Sequence, residues 1–392
     1  MKSSRAYQIC NRCIMDTSDF QISFNSDGYC NYCITAFERL KYLDRITDEQ
    51  NIIEGILKEI RKYPSKEGYH ALIGVSGGID SSYLLHVLSK QDVKLLAVHV
   101  DAGWNSIEAV RNINSMVSTL NIDLETIVID WEEMKALQIA YLKSGVINQD
   151  VPQDHAFFSS LYKLARKLNI RHVISGSNYA TESILPQSWG QSAMDGKQLI
   201  QIFKKFTGEE LEKYPVIFLR NLYWNSYFMN KYKVITPLNY LKYSKKIATE
   251  LLETHYGWKD YGGKHKESRF TEYFQEVYLP ERFSIQKKRA HYSSLIVNGE
   301  LGREEAIEKL SLSKINELDR SNLERFIATK LGISIQELRD YAKLPFVNDR
   351  IYHNEAYLTA LISKSARFRK TLSKVINFKK YRLLILKRFV RK

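Results

Sequence analysis

The sequence is short of cysteine, with four in 392 residues, and all four fall within the first 33 positions. Long apolar runs are also missing: none approaches the roughly 18 residues of a membrane-spanning helix, and the first residues lack the apolar segment of a secretion signal. These absences predict a cytoplasmic protein without a disulfide framework. Because the chain exceeds the usual size of one hydrophobic core, we expect two or three structural units.

Acidic residues are absent from the C-terminal segment. Between Lys364 and Lys392 stand twelve Lys or Arg and no Asp or Glu, so only +2 of the net charge of +14 belongs to the rest of the chain. A nearly neutral body argues against nucleic acid as the partner. In the tail, apolar residues alternate with cations, which suits an amphipathic helix on an anionic membrane surface or on a protein partner. A disordered tail is the alternative interpretation.

The cysteines form two C-x-x-C pairs, Cys10 with Cys13 and Cys30 with Cys33. This spacing is typical of a structural zinc site, because each short turn presents two thiolates to one ion. Redox-active thiols and an iron–sulfur cluster are the alternatives. If all four bind metal, the chain has no cysteine left to act as a nucleophile.

The most informative stretch runs from Val75 to Ser82 and reads VSGGIDSS. An apolar strand precedes it and a helix follows it, so glycines and unpaired helix N–H groups face one point, as in sites that bind phosphate. The lysine of the G-x-x-x-x-G-K-[ST] loop is absent, which disfavours kinase or GTPase chemistry. The predicted nucleotide-binding residues here are Ser76, Gly77, Gly78, Asp80, Ser81 and Ser82.

Strand and helix patterns alternate after this point, which predicts an α/β fold with a doubly wound parallel sheet. The expected strands are 70–75, 94–100, 124–129 and 172–175, and the expected helices are 79–89, 106–120 and 157–168. Ligands of such sheets bind at the carboxyl ends of the strands. We therefore add Asp101, Gly176 and Asn178 as nucleotide-binding residues and Glu182 as a substrate-binding residue. A structural Asp-Gly turn at Asp101 and a helix cap at Asn178 are the alternatives.

Changes in composition along the chain indicate its domain boundaries. We predict a zinc knuckle over 1–35, a helical linker over 36–68 with one helix from 34 to 63, and the nucleotide domain over 69–185. A helical region rich in aromatic residues follows over 186–350, with a charged helical stretch from 303 to 342. The basic amphipathic tail occupies 351–392.

Two later motifs carry further candidate residues. Gly262 and Gly263 precede Lys264 and His265, a pattern that suits a loop closing over phosphate, and we take this cation and imidazole as catalytic candidates. A basic run follows, in which the expected substrate-binding residues are Lys287, Lys288, Arg289 and His291. A basic run is otherwise most often a solvated face.

Taken together, the cysteine pairs, the SGGxDS loop, the GGKH segment within 258–268 and the stretch 279–294 resemble the N-acetyl sugar amidotransferase family. This family belongs to the PP-loop ATP pyrophosphatase superfamily and acts in bacterial lipopolysaccharide, O-antigen and other surface-glycan biosynthesis. The resemblance spans about residues 8 to 345, so nothing is carried over to the tail.

The resemblance implies a PP-loop, adenine nucleotide alpha hydrolase-like fold and a specific chemistry. ATP would adenylate the amide oxygen of an acetamido group on a nucleotide-activated sugar, and ammonia would displace AMP to leave an acetamidino group. Asp80 would hold Mg²⁺, Lys264 and His265 would stabilise the departing pyrophosphate, and Zn²⁺ would occupy the knuckle. Glutaminase and cyclase-like subunits, similar to those of imidazole glycerol phosphate synthase, would supply the ammonia. Because surface glycans are assembled at the inner membrane, a cytoplasmic protein peripheral at that membrane face is expected.

Two other functions fit parts of the pattern. A PP-loop tRNA-modifying enzyme of the thiolase or lysidine synthase type would pair the same loop with CxxC motifs, but it predicts a basic body. A non-catalytic scaffold with an inert nucleotide fold is a second alternative. The intact Gly77, Gly78, Asp80 and Ser81 argue against it.

Overall fold

A computed structural model describes residues 6–44, 49–190, 192–229, 231–261 and 266–362. Its centre is a five-stranded parallel sheet in the order β3-β2-β1-β4-β5. The strands are β1 (Ala71–Gly74), β2 (Leu95–Asp101), β3 (Asp123–Val128), β4 (His172–Ile174) and β5 (Lys233–Ile235). The predicted α/β class with a parallel sheet is confirmed.

Both faces of this sheet are covered by helices. In β1, Ala71 and Ile73 point into one apolar core while Leu72 points into the other, and β2 shows the same alternation. One core includes helices α2 (Glu49–Arg61), α3 (Ile79–Ser89), α4 (Ile107–Leu120) and α10 (Lys245–Tyr256). The opposite core includes α5 (Trp131–Ser144), α6 (Val151–Lys167) and α8 (Gly196–Thr207). Helices on both faces explain why the central strands are almost entirely apolar.

The strand order places a topological switch between β1 and β4. From β1 the chain moves through β2 to the edge strand β3, then returns to form β4 on the other side of β1. The register pairs Ala71 with both Leu95 and His172, so the carboxyl ends of three strands lie together. Such a crevice is where open α/β sheets bind ligands.

Several sequence-based element predictions need correction. The strand β5 and the helix α5 were not predicted, and α6 begins at Val151 rather than at residue 157. The predicted helix over 34–63 corresponds to α1 (Asn31–Asp44) and α2, on either side of residues 45–48, which lie outside the described part. The charged stretch from 303 to 342 is divided among three helices. Short strands of three residues leave too little period-two pattern to detect.

The remaining helices form the C-terminal half. They are α7 (Tyr179–Glu182), α9 (Leu219–Tyr223), α11 (Arg269–Tyr273), α12 (Leu279–Phe283), α13 (Lys287–Val297), α14 (Arg303–Leu312), α15 (Glu317–Leu331) and α16 (Ile335–Lys343). Short 3₁₀ helices span Gln187–Trp189, Pro237–Tyr240 and Asp349–Ile351, and π-helical turns span Trp224–Phe228 and Phe274–Tyr278. Within the described residues, no helix has both the length and the apolar character to cross a bilayer. The predicted amphipathic tail lies, beyond residue 362, outside the described part.

The N-terminal knuckle is fastened to α13 and α14. Arg289 donates from its guanidinium to the carbonyl of Ile14 at 2.8 Å and forms an ion pair with Asp16 at 3.0 Å. The Ser293 hydroxyl accepts a hydrogen bond from the Ile14 N–H. Because both partners of the ion pair are largely buried, with 14% and 3% of the side chains exposed, solvent screens this pair weakly.

We therefore expect Arg289→Ala to lower the free energy of unfolding by about 2 kcal/mol, since it removes the cationic partner of the buried Asp16 carboxylate and the side-chain donor to the Ile14 carbonyl. The matched control is Lys309→Ala, which removes a surface ion pair with Glu305 whose side chains are about half exposed. That control should change the free energy by less than about 0.5 kcal/mol. Urea denaturation measures both, and equal effects would contradict the docking described here.

Candidate functional site

The Ser-Gly-Gly turn between β1 and α3 depends on glycine. Gly77 has φ of +79°, and a Cβ built on it would lie 2.4 Å from the carbonyl oxygen of Ala109 in α4. No side chain fits there, so the backbone of the turn packs directly on a neighbouring helix. Gly78 follows in an extended conformation as the N-cap of α3, with no side-chain cap. The turn therefore leads into a helix N-terminus that no capping side chain covers.

The carbonyl of Gly77 is held from two directions. The indole Nε1 of Trp258 donates to it at 3.0 Å, and the Asn112 amide donates to it at 3.4 Å. Asn112 also exchanges two hydrogen bonds of 2.9 Å with the backbone of Lys259. Residues 258–259 and α4 thus fix the turn from outside, which preorganises its N–H groups for an anion.

The serines and the glycine predicted at the strand ends do meet at this turn. The Ser81 hydroxyl donates to the Gly78 carbonyl at 3.0 Å, and the Gly78 N–H donates to the Ser76 hydroxyl at 3.4 Å. A Cβ on Gly176, after β4, would lie 3.1 Å from the Ser81 nitrogen. Ser82 is buried one position further along α3. The structure therefore brings Ser76, Gly77, Gly78, Ser81 and Gly176 into one cradle.

Asp80 lies in the first turn of α3, where the helix dipole favours a negative charge. Its Oδ1 accepts a hydrogen bond from the hydroxyl of Tyr243. Burial, followed by the nearby Asp80 carboxylate, raises the pKa of Tyr243, so the tyrosine is protonated and donates at neutral pH. The sequence analysis did not single out Tyr243, because no local pattern links it to a residue 163 positions earlier.

The loop after β2 is a hydrogen-bonded network. Asp101 accepts from the Gly103 N–H at 2.8 Å and from the Asn105 amide at 2.9 Å, through the same Oδ1. The imidazole of His99 lies 3.2 Å from the Asn105 amide and 3.3 Å from the Val75 carbonyl at the end of β1. Asp101 therefore stabilises a structural turn, which is the alternative role that its sequence context also allowed. Its nucleotide-binding role stays a prediction.

A cation from the C-terminal half closes this loop. The ammonium of Lys330 in α15 donates to the Gly103 carbonyl and lies 4.8 Å from the Trp131 ring centroid and 5.4 Å from that of Trp104. Burial lowers the pKa of Lys330, while Asp101 opposes that shift. These contacts join α15 directly to the carboxyl edge of the sheet. The sequence analysis had not identified Lys330 or Trp258 individually as contributors to the site.

Asn178 is the N-cap of α7, and its side chain accepts from the Thr181 N–H at 2.9 Å. This is the structural role that the sequence analysis kept as an alternative. Glu182 is half-buried at the end of the same short helix. Both residues follow β4 beside Gly176, so their position agrees with the expected strand end, while their ligand contacts remain predictions.

The basic run does not form one surface. Lys288 pairs with Glu276 at 2.7 Å, and Arg289 is engaged by the knuckle. Lys287 lies over the Trp189 ring at 5.7 Å, and His291 lies 3.2 Å from the Thr181 carbonyl. Because a helix turns by about 100° per residue, neighbours in sequence point to different sides. Lys287 and His291, four residues apart, share a face.

The candidates Lys264 and His265 lie outside the described residues, but the segments on both sides of them are described. Before them, Tyr261 donates to Glu267 at 3.2 Å. After them, the Glu267 carbonyl accepts from the Ser106 N–H at 2.8 Å, and the Arg269 N–H donates to the Trp104 carbonyl at 2.8 Å. Both flanks are thus attached near the Ser-Gly-Gly turn and the β2 loop.

The four cysteines form a second, separate site. All are fully buried, and their sulfur atoms lie within 4.8 Å of one another. The Cys10–Cys33 and Cys13–Cys30 sulfur distances are 3.6 Å, close to the edge of about 3.8 Å expected for four sulfurs around one zinc ion. Backbone N–H groups point at these sulfurs, as at Cys30 N to Cys10 Sγ, 3.2 Å. The donor set fits a structural zinc ion.

Comparisons with known proteins agree with this architecture. Residues 70–177 match the family model of the phosphoadenosine phosphosulfate reductase domain. With the five-stranded parallel sheet and the SGG turn, this match defines a nucleotide-binding domain of the PP-loop ATP pyrophosphatase type. Residues 267–366 match the C-terminal domain of WbpG-like lipopolysaccharide biosynthesis proteins. The chain therefore carries a WbpG-like C-terminal domain together with a PP-loop domain, and the resemblance seen in the sequence is confirmed at the level of these two domains.

Individual relatives are more distant. A GMP synthase (glutamine-hydrolysing) from Thermus thermophilus is 33% identical over 104 residues, which cover 26% of this chain and 20% of that protein. The chain thus spans about a fifth of the length of the curated relatives it matches. Among solved structures, NMN synthetase from Francisella tularensis is 13% identical, with a TM-score of 0.32 and coverage of 80% and 98%. An NH₃-dependent NAD synthetase from Campylobacter jejuni is 14% identical, with a TM-score of 0.31 and coverage of 78% and 99%.

We expect Gly77→Ala to weaken ATP binding at least about tenfold, because the new Cβ would push the turn off Ala109 and disturb its anion-facing N–H groups. Gly208→Ala is the matched control, since Gly208 also has φ of +79° but open space around it. The control should cost about 1 kcal/mol of stability and leave ATP affinity unchanged. Calorimetric titration with ATP distinguishes the two, and unaltered affinity in Gly77→Ala would contradict this account of the turn.

We expect Cys13→Ser to remove about one equivalent of zinc, because three thiolates no longer complete the tetrahedral set. Hydrogen exchange should then accelerate in α13, which packs on the knuckle, and not in α4, which belongs to the opposite core. Metal analysis and exchange mass spectrometry give the two readouts. Full zinc content in the variant, or an unchanged rate of hydrogen exchange in α13, would contradict this account of the cysteine site.

Proposed function

We propose that the protein is an ATP-dependent amidotransferase that converts an acetamido group of a nucleotide-activated sugar to an acetamidino group. The observation that carries the proposal is the glycine cradle at the start of α3, which Trp258 holds, together with the neighbouring β2 loop, which Lys330 joins to the WbpG-like domain. A cradle for phosphates thus stands next to a domain typical of glycan biosynthesis. The contact between these two regions supports both ATP use and a sugar-modifying role.

The proposed reaction has two steps. The amide oxygen attacks the α-phosphorus of ATP, the α–β phosphoanhydride bond breaks, and pyrophosphate leaves. Ammonia then attacks the carbon of the adenylated amide, AMP departs with the original oxygen, and loss of a proton leaves a neutral or protonated amidine. Adenylation is needed because an oxide or hydroxide is a very poor leaving group for ammonia to displace.

In this proposal the backbone N–H groups of residues 77–79 and the Ser76 and Ser81 hydroxyls, some of which bond to one another within the turn, would turn to the leaving phosphates when ATP binds. Asp80 is proposed to hold Mg²⁺, which would neutralise phosphate charge when bound. Lys264 and His265 are proposed to stabilise pyrophosphate, since both flanks of their segment attach near the cradle. Zinc is proposed to be structural, because its cysteines are buried within the docked knuckle.

The sugar is proposed to lie between the cradle and α13. Lys287 and His291 share the α13 face that lies against residues 181–184, where Ser294 accepts a hydrogen bond from the Ile184 N–H. Glu182 lies within residues 181–184 and is proposed to contact the sugar from that side. Lys288 and Arg289 pair with protein carboxylates, and Lys287 is buried near Asp150 and Asp154. Lys287 and His291 are proposed for contact with an anionic substrate because they share this face of α13.

Ammonia is proposed to come from partner subunits, a glutaminase with a cyclase-like companion. All four cysteines of the chain lie in the metal cluster, which leaves no thiol for glutamine hydrolysis of the cysteine-dependent kind. Attachment of the basic tail to an anionic membrane surface stays part of the proposal, as does a cytoplasmic location.

The test incubates purified protein with ATP, Mg²⁺, ammonium and a panel of UDP- and CMP-activated acetamido sugars. We expect pyrophosphate release and a product lighter by the difference between an oxygen atom and an NH group, detected by mass spectrometry. Asp80→Ala should abolish both signals, whereas Asp92→Ala, an exposed carboxylate after the same helix, should keep them.

Glutamine in place of ammonium should give no product without partner subunits. Product from glutamine alone would overturn the proposed ammonia supply. The absence of ammonium-dependent mass change with every acetamido sugar, in protein that binds ATP, would overturn the proposed reaction. Normal turnover by Asp80→Ala would contradict the proposed role of Asp80 in magnesium binding.

A further inference from the structure

Tyr243 reaches the nucleotide cradle from the segment that follows β5, on the same face of the sheet as α3. It lies between the 3₁₀ helix that follows β5 and the start of α10, and only 6% of it is exposed. Its ring packs on that of Tyr83 in α3, with 5.3 Å between the centroids. This packing directs the hydroxyl to the first turn of α3, where it donates to Oδ1 of Asp80.

Stability alone does not require this hydrogen bond. A carboxylate in the first turn of a helix is already favoured by the dipole and by water. A buried tyrosine hydroxyl does need a partner, and here that partner is a carboxylate oxygen. The hydrogen bond from Tyr243 fixes one oxygen of the Asp80 carboxylate and therefore limits the rotation of that side chain.

The direction of the hydrogen bond also matters. The tyrosine hydroxyl donates to a carboxylate oxygen and carries no positive charge of its own. A neutral donor does not cancel the negative charge of Asp80, whereas a lysine or arginine in the same place would compete with a cation. The contact thus orients the carboxylate without placing a positive charge beside it, which suits the coordination of a divalent cation.

We propose that Tyr243 is a positioning residue that fixes the Asp80 carboxylate for the magnesium ion that accompanies ATP. The inference rests on the proposed ATP-dependent function and adds a residue from the β5 side of the sheet to that site. It also gives a role to the segment after β5, which the sequence analysis assigned only to a helical region.

The test is the magnesium dependence of ATP binding in Tyr243→Phe, which removes the hydroxyl and keeps the ring on Tyr83. At fixed ATP, we expect the magnesium concentration for half-maximal binding to rise about tenfold, as expected for loss of a charge-assisted hydrogen bond. ATP binding in EDTA should not change. Equal magnesium dependence in the variant and the parent protein would overturn the proposal.

The matched control is Tyr256→Phe. The Tyr256 hydroxyl also bonds to α3, at His86, almost two turns beyond Asp80. If both variants melt at similar temperatures and only Tyr243→Phe changes the magnesium dependence, general loosening of α3 is excluded. An equal magnesium shift in both variants would reduce Tyr243 to a packing residue and contradict the proposal.

A double-mutant cycle with Asp80→Asn tests whether Tyr243 acts through Asp80. The effect of Tyr243→Phe should disappear in the Asp80→Asn background, and full additivity would contradict a positioning role. Mg·ATP binding by the parent protein distinguishes failure of the proposed function from failure of the proposed role of Tyr243. If it binds no Mg·ATP at all, the proposed function fails, whereas normal binding that is insensitive to Tyr243→Phe defeats only the present inference.

Discussion

The backbone contact between Gly77 and α4 is the constraint on which the nucleotide site depends. Gly77 adopts positive φ with its α-carbon against Ala109, and its carbonyl is then exposed to Trp258 and Asn112. Those two donors hold residues 258–259 beside the turn, just before the segment that carries Lys264 and His265. A single missing Cβ therefore determines how closely the C-terminal half approaches the phosphate cradle.

The helix α13 connects the metal cluster to the cleft. On one side Arg289 and Ser293 bind the knuckle at Ile14, and on the other Lys287, His291 and Ser294 face residues 181–189. Arg303 adds two hydrogen bonds to the carbonyls of Cys10 and Cys13. A rigid knuckle thus sets the position of the helix that forms one wall of the proposed sugar site, so a zinc ion bound by the knuckle would influence the geometry of that site.

Local signals allowed the central strands, the SGG turn and the cysteine cluster to be predicted, because each is encoded by a short pattern with a physical cause. Contacts between distant segments were not predictable in the same way. Tyr243 and Lys330 reach the site through tertiary packing, and nothing in their neighbouring residues indicates it. The basic run shows the converse, since Lys288 and Arg289 adjoin Lys287 in sequence but point to different partners. Asn178 and Asp101 lie where expected, and their observed contacts are those of a cap and a turn.

The docking of the knuckle also has a consequence for how the chain is made. Ile14 and Ser293 are 279 residues apart. At about 5–20 residues per second, the ribosome needs roughly 15 to 60 seconds to synthesise the intervening chain. During that time the knuckle emerges, and can load its metal, before the surface on which it docks exists. Its apolar residues Ile14, Met15 and Ile22, all buried in the finished protein, would have to be shielded in the meantime. Early metal loading would limit the conformations available to this segment while it waits for its partner helix.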